Sequence, residues 1–373
     1  MPNIFGKLKE AITHTHLLDW YGRYEQPISS LSLIGGFVFD ALTLKRVDMF
    51  WENFWVVAHL LIVATCIILI NNSESNDGDA ANPDKMHFWL VNILQFFFGG
   101  LLSTYLVYYF RSGTLAVSWP FLLILAAAFI ANESLKRRYT RLSFQISLFY
   151  LSLFSFAIFL VPIVLHSIGV GIFLLSGLVS LACLAIFLSI LKRVARKRFS
   201  EVSRLLGFLI SGIFITLNAM YFLKIIPPIP LSIKDADVYH SLVANGPGNY
   251  TVTHESVGLF DFFKLYEDVH IVDGNPLYAY SAVFSPTFLN TQIVHEWQWY
   301  DTQANTWITK SRVPLSVIGG KDGGYRTFSM KSGLLPGTWR VNIETERGEV
   351  IGRLRFNVIE TNTTPVLQTS LIY

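Results

Sequence analysis

Six long apolar runs between about residues 49 and 223 limit what this chain can fold into. Each approaches or exceeds the roughly 20 residues that a helix needs to cross the core of a bilayer. Charged residues make up 15% of the chain, against about 25% in soluble proteins. The sequence therefore predicts membrane-spanning helices at approximately Met49–Ile70, Phe88–Phe110, Thr114–Ala131, Leu142–Leu165, Gly169–Leu191 and Leu205–Leu223.

A seventh run, Ile28–Leu44, is shorter and contains Gly35, Gly36 and Asp40. It is long enough for a short span, but it could also re-enter the membrane. A span is favoured because it places the basic residues of segment 1–27 in the cytoplasm, where short loops rich in Lys and Arg are found. The lipid bilayer is the one partner that composition alone implies.

Basic residues in short loops also orient the chain. The clusters at 136–141 and 192–198 should be cytoplasmic, whereas the joint around His166 has no Lys or Arg. Counting on from the second cluster, the helix ending near Leu223 leads out of the cytoplasm. Everything after it is therefore predicted to lie outside.

The period of the sequence changes from helical to two after a proline-rich segment around 227–235. Consecutive prolines favour an extended spacer, which would hold an outer domain away from the membrane. Turn residues separate short alternating runs, as in a β-sandwich. We expect strands at Leu277–Phe284, Ile293–Tyr300, Arg312–Ile318, Tyr325–Lys331, Trp339–Thr345 and Glu349–Val358.

These patterns divide the chain into a cytoplasmic segment 1–27, a helical bundle 28–226, a linker 227–235, a β-sandwich 236–360 and a tail 361–373. The predicted fold class is a membrane all-α bundle of about seven transmembrane helices followed by an all-β sandwich. The piece 235–275 is expected to add strands and a short helix around Leu259–Tyr266.

The β region resembles a bacterial family known as domain of unknown function 2914. The resemblance rests on Ala282–Thr287, His295–Trp297, Gly319–Arg326, Pro336–Val341 and Gly348–Phe356, and in the helical part on Gly35–Asp40 and Asn132–Glu133. It implies an Ig-like periplasmic domain attached to the inner membrane of a Gram-negative bacterium. It implies no activity.

Polar residues inside predicted spans are costly to bury and are candidate functional groups. Asp40 is the clearest, followed by His59. The structural alternative is hydrogen bonding between helices, which also accounts for Asn92, Gln95 and Asn218.

Two groups in the β region are candidates for contact with a partner. Lys321 and Arg326 belong to a glycine-rich loop, Gly319–Arg326, that could bind an anion through its cations and backbone N–H groups. If Tyr325 points inward, Arg326 should point outward beside Lys321. Aromatic residues suited to stacking or to a protein contact form the second group: Trp297, Trp299 and Trp307. The alternatives are a plain hairpin loop and a sandwich core built on tryptophans.

Several functions have little support. There is no basic face for nucleic acid, no recognisable catalytic motif and no cofactor fingerprint. Both cysteines, Cys66 and Cys183, lie inside apolar runs. His240, His254 and His270 could in principle bind a metal, but their spacing is loose, and no metal site is predicted. We therefore predict a non-enzymatic envelope protein whose β-sandwich binds a glycan, peptide or protein. A transporter or enzyme using Asp40 and a transmembrane sensor remain the alternatives.

Overall fold

A computed structural model describes residues 34–44, 46–76, 83–134, 141–246, 248–256, 266–272 and 274–372. The N-terminal segment 1–27, the basic cluster at 136–138 and most of the predicted helix around Leu259–Tyr266 lie outside these ranges. Within them the chain forms helices and then strands. The helices are α1 Ile34–Thr43, α2 Phe50–Asn76, α3 Pro83–Arg111, α4 Leu115–Ser134, α5 Leu142–Leu165, α6 Val170–Val194 and α7 Arg196–Phe222.

Six of the described helices, α2 to α7, are long and apolar enough to cross a membrane. They coincide with the six predicted spans, although α7 begins at Arg196 rather than near Leu205. Apolar side chains cover much of their outer surface, as expected for helices in lipid; Phe208 is 78% exposed and Phe96 is 72% exposed. The predicted membrane bundle is confirmed.

Helix α1 is the described part of the predicted segment Ile28–Leu44. It packs on α4 through Phe37 and Phe129, whose ring centroids are 6.1 Å apart. At its end, Arg111 of α3 donates hydrogen bonds to the carbonyl groups of Ala41 and Leu44. The last carbonyls of a helix have no partner within the helix, so Arg111 caps α1. Ten residues rise only about 15 Å, and the crossing of the whole segment stays a prediction.

The loops of the bundle alternate between two ends. At one end, which we call the domain end, the α1–α2 and α5–α6 loops contact the β region: Arg46 pairs with Asp322, and the rings of His166 and Phe288 lie 5.7 Å apart. At the far end, the buried Asn71 Nδ2 donates to Gln145 Oε1 over 2.8 Å, and Arg198 Nη1 donates to Asn71 Oδ1 over 3.0 Å. Successive helices therefore run in opposite directions.

The β region contains three open sheets. Its strands are β1 Ser232–Tyr239, β2 Ser241–Gly246, β3 Asn249–Glu255, β4 Glu267–Ile271, β5 Leu277–Phe284, β6 Thr291–Asp301, β7 Thr306–Val317, β8 Tyr325–Lys331, β9 Gly337–Thr345, β10 Val350–Glu360 and β11 Leu367–Ile372. The orders are β1-β5-β8, β4-β10-β9-β6-β7 and β11-β3-β2. Strand β11 lies in the segment expected as a tail.

The first two sheets pack face to face, which confirms the predicted sandwich. Leu277 and Ala279 of β5 meet Trp297, Trp339 and Phe356 of the five-stranded sheet in one core. Strand residues alternate between faces, so the intervening residues point outward. The alternation read from Ile293–Tyr300 is therefore correct.

A buried polar network also joins these sheets. His295, which is fully buried, has Ser281 Oγ 2.9 Å from Nε2 and Ser329 Oγ 2.9 Å from Nδ1. Trp297 Nε1 donates to the same Ser329 hydroxyl over 2.9 Å. Burial lowers the pKa of His295 to about 4, so its ring is neutral at physiological pH. Buried polar groups of this kind are stabilising only while each has a partner.

The proline-rich linker is not an extended spacer, and that interpretation is wrong. Ile226 and Ile229 are 2% and 5% exposed within the core of the bundle, and Leu231 is fully buried in the β domain. Removing such side chains from water is worth about 1.5–3 kcal/mol each. These apolar side chains anchor the linker between the two parts.

Ionic contacts reinforce this docking. Asp48, between α1 and α2, accepts from Arg46 over 2.6 Å and from the backbone N–H of Thr287 over 3.2 Å. Phe284 of β5 lies in the core of the bundle, with the Arg46 guanidinium 5.3 Å from its ring centroid. The β domain therefore sits directly on the domain end.

Candidate functional site

The outward face of the five-stranded sheet is polar over most of its width. Strand alternation explains its content: the even-numbered residues of β6 and β9 point away from the tryptophan core, as do the odd-numbered residues of β10. The face carries Glu296, Gln298, Tyr300, Arg312, Arg340, Asn342, Glu344, Arg353 and Arg355.

Two buried glutamates lie nearest the domain end. Glu296 and Glu344 are 8% and 3% exposed, and Arg312 bridges them with contacts of 3.1 and 2.8 Å. Glu296 also accepts from Thr309 over 3.0 Å and from Asn342 over 3.2 Å. Burial and the neighbouring Glu296 raise the pKa of Glu344 to about 7. This carboxyl is therefore partly protonated at neutral pH, which weakens the negative charge of the face.

Three arginines lie together beyond the glutamates; we call Arg340, Arg353 and Arg355 the arginine face. Arg340 and Arg355 are directly opposite each other on the antiparallel strands β9 and β10, and Arg353 is two residues before Arg355. All three are half-buried. Burial, and the charges of Arg340 and Arg355, lower the pKa of Arg353 to about 10. It remains charged at neutral pH, in an environment crowded with positive charge.

Their hydrogen bonds go to neutral acceptors. Arg340 Nε donates to Gln298 Oε1 over 2.6 Å, and Arg353 Nε donates to Asn342 Oδ1 over 2.7 Å. In the part of the chain that the structure describes, none of the three forms an ion pair with a carboxylate. Opposed like charges destabilise a strand pair. Glu296 attracts Arg340 and Glu344 attracts Arg353, but neither carboxylate forms an ion pair with them, so an added anion could still pair with the arginines.

Aromatic rings flank the arginines at the tip, next to the β6–β7 hairpin. The Arg340 guanidinium lies 4.1 Å from the ring centroid of Trp307. Tyr300 is 5.1 Å from the same ring. Both aromatic side chains are partly exposed. Flat rings beside cations and amides can contact a ligand that has both an apolar face and charged groups.

The three tryptophans predicted to contact a partner, Trp297, Trp299 and Trp307, do not lie on one face of the sheet. Trp297 is fully buried in the core, so its assignment to a partner surface is wrong; it lies on the inward face of β6. Trp299 shares that face at its edge, where its Nε1 donates to Pro336 O over 3.2 Å and Lys310 lies 4.9 Å from its ring. Only Trp307 belongs to the polar face.

The predicted cationic patch in the loop Gly319–Arg326 is not formed. Arg326 Nη1 donates to Gly248 O over 2.8 Å, whereas Lys321 lies 4.9 Å from the ring of Tyr325. Asp322, in the same loop, pairs with Arg46 of the bundle.

The loop's backbone is also engaged. Gly320 N donates to Ser285 O over 2.9 Å, and Gly324 N donates to Lys321 O over 3.0 Å. A Cβ at Gly319 would lie 1.9 Å from Pro286 O, so the glycine is required for close packing of two loops. The hairpin interpretation fits these contacts better than an anion nest.

The two candidate polar residues of the bundle come together near its domain end. Asp40 of α1 lies within electrostatic reach of His59 on α2 and beside Ser103 on α3. His59 Nδ1 is 2.7 Å from Trp55 O, and a Cβ at Gly100 would lie 3.1 Å from His59 Nε2. Gly100 thus makes room for the histidine. By contrast, Asn218 donates within its own helix to Phe214 O over 2.8 Å, a packing role.

The three histidines considered as metal ligands, His240, His254 and His270, lie around Glu255. His240 Nε2 and His270 Nδ1 lie 3.1 and 2.8 Å from the two oxygens of Glu255, and His254 Nδ1 lies 2.8 Å from the Glu255 carbonyl. Within the described ranges, no group of three or more His, Cys, Asp or Glu is arranged to hold a metal ion. The cluster joins β2–β3 to β4 by hydrogen bonds.

Comparison with known families places the polar face in a recognised region. A family model described as "Protein of unknown function (DUF2914)" matches residues 290–358. The C-terminal β domain carries a DUF2914 region. This region contains Trp307, Glu344 and the whole arginine face. The predicted resemblance is confirmed for residues 290–358.

Other comparisons add little. No curated protein matches the chain. A β-glucosidase from Listeria innocua in complex with isofagomine is 10% identical, with a TM-score of 0.18; the match covers 31% of this chain and 17% of that chain. An alkylpurine DNA glycosylase from Pseudomonas fluorescens, bound to DNA with an abasic site analogue, is 9% identical with a TM-score of 0.21, covering 82% and 98%. These scores are too low to support any inference.

Proposed function

We propose that this protein is a non-enzymatic, multi-pass inner-membrane protein whose DUF2914 domain binds an acidic glycan on the arginine face. The observation that carries the proposal is the position of Arg340 opposite Arg355, beside Arg353, without an ion pair to a carboxylate among the described residues. Guanidinium groups bind carboxylate and phosphate strongly and with defined geometry.

A glycan fits the surroundings of the arginines better than a peptide does. Trp307 and Tyr300 supply flat rings at the tip, and Gln298 and Asn342 supply amides along the same face. Sugar rings have apolar faces for stacking and hydroxyl groups for hydrogen bonds. A peptide that added a strand would bind at an open sheet edge such as β7, and not on the outward face where the arginines lie.

The proposed location follows from the distribution of basic residues. The far end, which bears the basic cluster at 192–198, faces the cytoplasm under the positive-inside rule. The domain end then faces the periplasm, so the β domain stands in a compartment that contains envelope glycans. Docking through the linker gives the domain a fixed orientation, with Trp307 at the end away from the membrane.

An array of acidic and neutral oligosaccharides, probed with the full-length protein in detergent, tests the proposal. We expect binding to uronic-acid or phosphate-bearing glycans that falls as salt is raised. The Arg355→Gln variant should lose this binding, and Lys321→Gln, outside the face, should keep it. Binding only to acidic peptides would show that the ligand is a peptide and not a glycan, and binding to no anionic partner would refute the proposal.

A second candidate function rests on Asp40 and His59, which the structure brings together inside the bundle. An ionisable pair in a membrane can carry protons or hold a cation. If the protein is a transporter, Asp40→Asn should abolish transport while the helices remain folded. Unchanged function in that variant would remove this candidate.

A further inference from the structure

A cavity of about 620 Å³ lies where the bundle meets the β domain. Its walls come from α5, the α5–α6 loop, α6, α7, the linker, the facing ends of β6 and β7, and the β9–β10 hairpin. This junction cavity is within the range of about 300–1,000 Å³ typical of small-molecule sites. It is separate from the arginine face.

The two sides of the junction cavity differ in chemistry. The side formed by the bundle and linker is mostly apolar and includes Ile158, Ile172 and Ile229, with His166 and Ser167 at the loop. The side formed by the β domain is mostly polar and includes Gln292, Arg347 and Glu349. A ligand that satisfies both sides must be amphiphilic, because either a wholly polar or a wholly apolar molecule would leave one wall unmatched.

The polar side of the cavity carries one positive and one negative side chain, Arg347 and Glu349, and both are held in place by neighbouring residues. Glu349 is 7% exposed and accepts from Thr345 Oγ1 over 2.7 Å. Arg347 lies 3.2 Å from Glu349 Oε1, and its guanidinium is 4.8 Å from the ring centroid of Tyr221. Tyr221 in turn stacks on Phe173, with centroids 3.7 Å apart. A head group with one negative and one positive charge complements this wall.

The junction cavity is also level with the end of the lipid-facing surface. Val164 and Leu165, at the end of α5, are 61% and 46% exposed, and Leu174 on α6 is 41% exposed. Apolar side chains exposed on membrane helices face acyl chains. The interface region of the bilayer, where phospholipid head groups lie, therefore reaches the cavity.

We infer that the junction cavity binds one membrane phospholipid with a zwitterionic head group. The phosphate would bind Arg347, the ammonium group would bind Glu349, and the first part of an acyl chain would lie against the isoleucines. A bound lipid would then be part of the joint that fixes the β domain to the bundle.

Native mass spectrometry of the full-length protein tests this inference, with dioleoyl phosphatidylethanolamine, dioleoyl phosphatidylglycerol and the deacylated head group glycerophosphoethanolamine as probes. Ser316, an exposed residue of the cavity wall, allows the space to be filled without altering a buried position. Ser316→Trp should weaken retention of phosphatidylethanolamine at least tenfold. Thr302→Trp, at the exposed tip of the β6–β7 hairpin, is the matched control.

Each outcome is decisive once melting temperature confirms that both variants fold. One retained phosphatidylethanolamine, lost in Ser316→Trp and kept in Thr302→Trp, supports the site. Equal retention in both variants, or no retained lipid, overturns it. Equal or tighter binding of phosphatidylglycerol contradicts the zwitterionic assignment, and equally tight binding of glycerophosphoethanolamine shows a soluble ligand site instead.

Discussion

Arg340 of β9 stands directly opposite Arg355 of β10, on the outward face of the sheet that carries the DUF2914 region. Like charges in this position destabilise a strand pair. The pair is retained in the folded protein without an ion pair to a carboxylate among the described residues. A binding role explains why a sheet would keep such a contact.

Removing one charge should therefore stabilise the domain. We expect Arg355→Gln to raise the free energy of unfolding by up to about 1 kcal/mol at low salt, with a smaller gain at high salt because the repulsion is screened. Fluorescence of the buried Trp297 and Trp339 would follow unfolding. Lys321→Gln should have little effect. A loss of more than about 1 kcal/mol in Arg355→Gln would show that the arginine is structural.

The buried His295 makes the stability of the domain depend on pH. Its pKa is about 4 when folded and about 6.5 when unfolded, so the unfolded chain takes up a proton first. Above about pH 6.5 the buried, neutral His295 costs the folded protein no stability. As the pH falls from about 6.5 to 4, the free energy of unfolding decreases by about 3 kcal/mol, because only the unfolded chain binds the proton readily. In His295→Gln this dependence should be absent, so the stability difference from the wild type should narrow on acidification. A constant difference from pH 7 to 4 would contradict the assignment.

Asp48 should hold the β domain on the bundle more strongly than Asp322 does. Its side chain is 6% exposed and receives both Arg46 and the Thr287 N–H, whereas Asp322 is 78% exposed. Burial disfavours the Asp48 carboxylate, but these hydrogen bonds outweigh it and lower its pKa. Hydrogen exchange near Thr287 should rise in Asp48→Asn and change little in Asp322→Asn. Equal effects would refute this ranking.

The orientation of the chain can be tested with alkaline phosphatase, which is active only after export. Fusion after Asp235 should give active enzyme, because that residue lies beyond the domain end. Fusion after Arg198, at the far end, should give inactive enzyme. Activity at Arg198 would reverse the proposed topology.

Local patterns in the sequence predicted the helices and most strands well. Leu142–Leu165 and Leu277–Phe284 have the predicted bounds, because a bilayer-length apolar run and a short apolar run bounded by turn residues are both local signals. The alternation of β6 also showed which of its residues share a face. It could not show that this face is the core, so Trp297 was wrongly assigned to a partner surface.

The arginine face could not be located in this way. Arg353 and Arg355 show the spacing of one strand face, but their meeting with Arg340 depends on the register between β9 and β10. The acceptor of Arg326, Gly248 O, is 78 residues away in the chain. The linker was misread because Pro227 and Pro228 indicate an extended backbone, whereas burial of Ile226 and Ile229 is a property of the assembled fold.

Glycan binding by the arginine face can be measured by isothermal titration calorimetry of the full-length protein with an acidic oligosaccharide and with a neutral one of the same length. We expect that only the acidic glycan binds, that Arg355→Gln weakens binding at least tenfold, or about 1.4 kcal/mol, and that Lys321→Gln binds as the wild type does. Equal affinity for the two glycans, or unchanged affinity in Arg355→Gln, would contradict it.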